Sequence, residues 1–391
     1  MNSKIFSGLF VLAIMAIGCV SEFTATLPSN DLEILVIDGS IIENTNATFY
    51  LSKSIPLNFP GIPEESLNIN VNLFIIGSNG YKSQQATNMG RGAYSIFTGE
   101  LDDNVEYGIQ IEYNGDVYQS TLSKPLRTPE IDSISWVQPQ EEGDVFFRVS
   151  THDDSGEVRF FLWSYTEDWE FTAYYQVSFF FNPGNGEFYS TDYAPYFYCW
   201  KNSASRNFLI GSTESLSEDR IINKQLFSQN SGNDRFSLLY SVNVKQQAIS
   251  KAAFEYYQNK IVLNDEMGGL FTPQPSELTG NITCITNPSK KAMGYIEAVR
   301  NTTQKRIFVS RSQLTRPRIF STCTEITNDS IFILLSGFGG TIFDAYNMGF
   351  RPLEPDLMTG KPISWSTATC TECTANGGSK RKPDFWPNNH E

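Results

Sequence analysis

Two cysteines three apart, Cys370-Thr371-Glu372-Cys373, have the spacing of a redox motif or of half a zinc site. A redox pair normally opens a helix whose N-terminus lowers the thiol pKa, and the Thr-Ala-Asn-Gly-Gly after Cys373 cannot form that helix. Zinc would need a second ligand pair, and the sequence has neither another such motif nor a usable pair of histidines. Its two histidines are His152 and His390. His152 stands in "STHDDSGEVRF", where Asp153 and Asp154 would let it ligate a metal or act as a base. The same residues, with Gly156, read more simply as a turn after the strand "VFFRV". No Gly-x-Ser-x-Gly elbow accompanies a histidine for a nucleophilic triad. "SGFGGTIF" is glycine-rich but lacks the lysine and the following helix of a phosphate loop. Glu64-Glu65 and Asp102-Asp103 fall in apparent loops and read as solvated charge, although the two carboxylates of a glycosidase need not be neighbours in sequence. The expectation is no catalytic residue, no metal and no cofactor.

Structural disulfides account better for the cysteines. Apart from Cys19, five remain: Cys199, Cys284, Cys323, Cys370 and Cys373. An odd number leaves at least one unpaired, and Cys199, inside the aromatic run "YFYCW", is the candidate. Cys370 or Cys373 is expected to bond Cys323 or Cys284. That bond would pin a glycine-rich tail ending in Phe385 and Trp386, two large aromatics with little reason to be there unless they dock.

The elements that would hold these residues are mostly strands. Residues 31 to 127 alternate as "LEILVIDGSI", "ATFYLSKS", "NINVNLFIIGSNG" and "EYGIQIEYNGDVYQSTL". Asn114-Gly115 between two alternating runs is a type I′ hairpin signal, because both central residues need positive φ. Six or seven short strands suggest an immunoglobulin-like or transthyretin-like β-sandwich, closed by "PLRTP" at Pro125 to Pro129. Residues 128 to 391 read as a larger β-rich domain. Residues 159 to 200 hold about a third of all the aromatics. Phe161, Trp163 and Tyr165 would share one strand face and Phe160 and Leu162 the other, so both faces should be buried. At that alternating spacing the rings read as core rather than as a sugar-binding platform, with a few left exposed for a partner. One clear helix is expected over Ser250 to Asn264, with Ser250 as N-cap and Phe254, Tyr257 and Ile261 on one face. "AMGYIEAVR", "KRIFVSR" and "SIFILLSG" read as further strands of this domain.

Met1 to Gly18 has one lysine and then a short apolar run, the pattern of a secretory signal peptide and too short to span a bilayer. Its end, Ala16-Ile17-Gly18-Cys19, resembles the lipobox of bacterial lipoproteins. Cys19 would then be acylated and residues 19 to 30 would form a tether. Ser21 and Glu22 resemble the surface-export signal of lipoproteins displayed outward. The net charge of −14 excludes a nucleic-acid partner, which would need clustered Lys and Arg.

The order of features resembles a bacterial family, domain of unknown function 4249. The resemblance is carried by the lipobox Cys19, "LVIDGSI", "YNGDVYQS" before "PEIDSISW", "FLWSYTEDWEF", "YFYCW", "LLYSVNVKQQAIS" leading into "FEYYQ", "GGLFTPQPSELTGNI", "GYIEA" and "CTEC…GGSKRKPDFW". The resemblance implies an outer-membrane lipoprotein encoded beside a TonB-dependent receptor, and it implies no catalytic residue. The expected role is a non-catalytic accessory subunit that captures a ligand or scaffolds a barrel complex, its lipid anchor in the outer membrane and its body facing outward. The alternative is a stand-alone glycan- or peptide-binding lipoprotein or, after that, a carboxylate-based hydrolase. The sequence does not name the ligand.

Overall fold

The structure is a computed structural model that describes residues 34–55, 61, 63–266, 280–318, 322–335 and 341–387. Cys19, Ser21, Glu22, His390, most of "GGLFTPQPSELTGNI" and the glycines of "SGFGG" lie outside the described residues. The fold is mainly β, as the alternating runs predict.

The first unit is a sandwich of two sheets. One runs Ala292–Met293, Leu35–Asp38, Asn46–Lys53, Ala93–Phe97 and Thr87–Gly90. The other runs Ile282–Cys284, Asp116–Ser120, Tyr107–Tyr113 and Asn72–Gly77. Period-2 alternation aims Leu35, Ile37, Phe49, Leu51, Leu73, Ile75, Ile109 and Ile111 into one core, where all are fully buried. The hairpin at Asn114-Gly115 has both residues at positive φ, 50° and 83°, between the paired Tyr113 and Asp116.

This unit is not confined to residues 31 to 127. The segment 282–299, assigned above to the second domain, supplies an edge strand to each sheet, and its Ile282, Ile296 and Ala298 lie in the same core. Ile41–Ile42 also pairs in parallel with Ala298–Val299. Such pairing joins residues far apart in sequence and leaves no local signal.

The second unit packs two sheets face to face. Its main sheet runs Tyr198–Ala204, Phe160–Thr172, Leu239–Ala248 and Thr303–Ser310. The facing sheet runs Arg220–Asn230, Asp144–His152 and Ile131–Val137. Between them lie Phe147, Phe161, Trp163, Phe171, Tyr240 and Val242. The Trp163 indole donates to the Gln246 side chain at 2.8 Å, so its polar atom is satisfied in the core. Phe160 points the opposite way and packs with Ile249, Ala253, Tyr256 and Tyr257. Both faces are thus covered at the Phe160 end of this strand, whereas Ser164 and Thr166 on the outer face are exposed. The covering helix, Lys251–Glu266, is capped by Ser250, whose hydroxyl accepts from Ala253 N at 3.1 Å.

A smaller sheet of Ile326–Thr327, Pro362–Thr367 and Phe350–Pro355 follows, its core built on Ile331, Ala345 and Trp365. Here "SIFILLSG" departs from the strand expected of it, because Asn328–Leu335 is a helix. An unbroken apolar run carries no period, and Asn328-Asp329 ahead of it place an acid in the first turn.

Candidate functional site

Cys370 bonds Cys323, and Cys373 bonds Cys199. The expectation of an unpaired Cys199 is therefore corrected, as is that of Cys284 as a disulfide candidate: among the described residues Cys284 is the buried free thiol. Cys199 lies on the core side of its strand, opposite Phe171, and the tail crosses directly over it. A Cβ on Gly378 would stand 2.5 Å from the Cys199 Cβ and 2.7 Å from the Phe171 ring, so only glycine lets the tail come this close. Trp200 and Ser379 then exchange two backbone hydrogen bonds at 2.9 and 2.8 Å. Beyond them the Trp386 ring is buried and its indole donates to Glu170 at 3.1 Å. Phe385 sits 3.5 Å from the Arg306 guanidinium.

His152 ends its strand with Nδ1 at 2.7 Å from Asp132 and Nε2 at 3.4 Å from Asp154. Among the described residues no group of His, Cys, Asp and Glu is placed to hold a metal ion. Glu64 and Glu65 are exposed on a short helix, and Asp103 pairs with Arg300, which Glu43 also holds at 3.0 Å. Among the described residues three carboxyls are deeply buried beside structural donors: Glu170, which accepts from the Trp386 indole, and Glu167 and Glu297. Glu167 accepts from Tyr240, Gln229 and Arg235 at 2.8, 2.8 and 3.1 Å. Glu297 accepts from Ser250 N at 3.1 Å, and burial pushes its carboxyl up to about 7. None of the three lines the cleft described next.

That cleft, of about 620 Å³, lies between the two units. One wall is the turn Asp38–Ser40 with Asn46 and Thr48 of the sandwich. The other is Leu162, Ser164, Lys245 and Gln247 of the main sheet, with Arg206, Phe208 and Tyr257 at its side. Gln247 reaches across and donates to Ser40 at 3.0 Å. Lys245 is half-buried, and burial alone pushes its amine below the ordinary lysine range. Among the described residues neither Lys245 nor Arg206 has an ion-pair or side-chain hydrogen-bond partner.

A second feature is convex. The hairpin between Phe350–Pro355 and Pro362–Thr367 carries Leu357 and Met358 at its tip, 96% and 94% exposed. The tip is pre-organised. The Asp356 carboxylate accepts from Met358 N at 2.8 Å and Thr359 N at 3.0 Å, Asp356 N donates to Lys361 O at 2.7 Å, and Gly360 takes φ +67°. A more open groove of about 940 Å³, lined by Leu238, Leu239, Phe308 and Pro387, lies beside the docked tail.

Sequence reasoning missed Lys245, Arg206 and the Leu357-Met358 tip. "PDLMTGKP" did hold a signal, since two large apolar residues sit where turn chemistry favours polar ones. Nothing comparable marked Lys245: alternation puts it on the outer face of its strand but does not say what covers that face.

The sequence model of a family described as a domain of unknown function (DUF4249) matches residues 20–305. No curated protein matches the chain. The matched stretch holds both walls of the cleft and stops before the hairpin and the docked tail.

Proposed function

The chain belongs to the DUF4249 family, and from that premise we propose that it serves as a surface-exposed, lipid-anchored, non-catalytic accessory subunit of an outer-membrane assembly. Its partner in this reading is a TonB-dependent receptor or another β-barrel. The observation that carries the reading is the hairpin tip. Two almost fully exposed apolar side chains on a turn held by its own hydrogen bonds are poor surface residues and good anchors, because little ordering entropy is lost when they enter a partner's pocket. The lipid on Cys19 would confine the protein to the plane of the membrane and raise the effective concentration of any partner there, so a modest interface suffices. The cleft favours ligand capture over pure scaffolding within this role.

The test is a gentle-detergent pull-down of the native chain with mass spectrometry, repeated with Leu357→Ser/Met358→Ser. A barrel protein should co-purify with the native chain and be lost from the variant. Recovery of no barrel by the native chain would refute the accessory role. Cys19→Ala should retain the signal peptide and take up no labelled palmitate, and a neutral residue at Glu22 should reduce protease access on whole cells.

A further inference from the structure

We propose that the cleft between the two units is a binding site for an acidic saccharide, its anionic group held between Lys245 and Arg206. Size comes first: about 620 Å³ falls within the range of pockets that take small ligands. Charge comes second. The chain is strongly acidic, at −14, yet this cleft has two cations on its lining and one carboxylate, Asp38. The charge of Asp38 is felt by Lys260 and by the Tyr256 and Tyr257 hydroxyls. Lys245 receives no such compensation, and the cost of its partial burial is unrelieved within the protein. Partly desolvated ammonium groups are normally paired, so the missing partner is assigned to a ligand.

The rest of the ligand follows from the neutral lining. Asn46, Thr48, Ser164 and Asn207 face the cleft, and among the described residues their side chains make no hydrogen bond. They suit a molecule rich in hydroxyls. Stacking contributes little, because Phe208 already carries the Lys260 ammonium at 4.4 Å and the Tyr257 ring at 5.0 Å. Recognition therefore rests on charge and hydrogen bonds, which separates this site from one for neutral glycans. The inference uses no part of the hairpin and holds whether or not a barrel is the partner.

The anion can be a uronic carboxylate or a sugar phosphate, and calorimetry on the detergent-purified full chain distinguishes them. Trigalacturonate is compared with maltotriose, and glucose 6-phosphate with glucose. One acidic probe, or both, should bind at least tenfold more tightly than its neutral counterpart. Lys245→Met should weaken that binding tenfold or more while leaving the thermal midpoint unchanged or raised, since it removes an uncompensated cation and keeps the aliphatic stem. Arg206→Ala, at an exposed position, provides a second variant with the same expected loss. Equal binding of acidic and neutral probes, no binding of either acid, or native affinity in Lys245→Met would each overturn the proposal.

Discussion

Glu297 sits under the first turn of the Lys251–Glu266 helix, where Ser250 caps the helix and also gives its backbone N–H to the carboxylate. Folding raises this carboxyl from its ordinary 4.5 to about 7, so between those values the folded chain holds a proton that the unfolded chain releases. Its contribution is therefore fully favourable below about pH 4.5, is lost as pH rises to about 7, and is flat above. The full span is on the order of 3 kcal/mol. Glu297→Gln should gain stability relative to the native chain at pH 8 and show little gain at pH 5, measured by urea unfolding. A constant difference across that range would rule the carboxyl out as the cause. Trp386 is the second residue to test. Trp386→Ala removes a buried ring and the indole that reaches Glu170, and should cost about 3 kcal/mol. The docking of that ring was legible, because a tryptophan at the end of a glycine-rich tail has little other reason to be there. The partner of Cys199 was not legible, because strand alternation does not tell which segment will lie across a core-facing thiol.

The hairpin of Phe350–Pro355 and Pro362–Thr367 belongs to a small sheet fastened at its base by the Cys323–Cys370 bond. The two cysteines are 47 residues apart, and closing a loop of that length stabilises by about 4 kcal/mol in the chain-entropy model. Replacing both with alanine should reduce stability by that order under non-reducing conditions and leave the Cys199–Cys373 bond in peptide maps. Asp356→Ala acts on the tip alone. Its carboxylate is held below the usual range by the Met358 and Thr359 backbone N–H groups, and without it the turn loses two hydrogen bonds. Global stability should be essentially unchanged, as expected at an exposed loop. If the proposed barrel partner docks on this tip, its capture should fall with the loss of pre-organisation. Legibility at this scale depended on how much chemistry each turn demands. Asn114-Gly115 fixed its hairpin because few other pairs tolerate positive φ twice. "IFILL" could not announce a helix, since every position is apolar and no face can be told from another.

The chain enters the sandwich at its start, leaves for the second unit near Thr128, returns over 282–299 and leaves again. Its two crossings lie side by side: Thr128 Oγ1 donates to Asn301 O at 2.6 Å, and the Asn301 amide returns a bond to Thr128 O at 2.9 Å. The two units should therefore unfold in one transition, with fluorescence and far-ultraviolet dichroism superimposing in urea. Excising residues 31 to 127 would strand Ile282, Ile296 and Ala298 without a core, so that deletion should yield an insoluble chain rather than a free second unit.

The same threading sets a timetable. Synthesis runs from the amino end, and the strands Leu35–Asp38 and Asp116–Ser120 are finished early. Each then waits with an unpaired edge until Ala292–Met293 and Ile282–Cys284 have been made. For most of its birth the amino-terminal half is thus an unclosed sandwich, a form easily threaded through a membrane and easily lost to proteases. Chains stopped at residue 270 should be cut readily between residues 34 and 126, whereas chains stopped at residue 318 should resist. A protein built this way postpones its first stable domain until more than half of its sequence exists; under the proposed lipid-anchored role that delay would leave time for export before folding could block it.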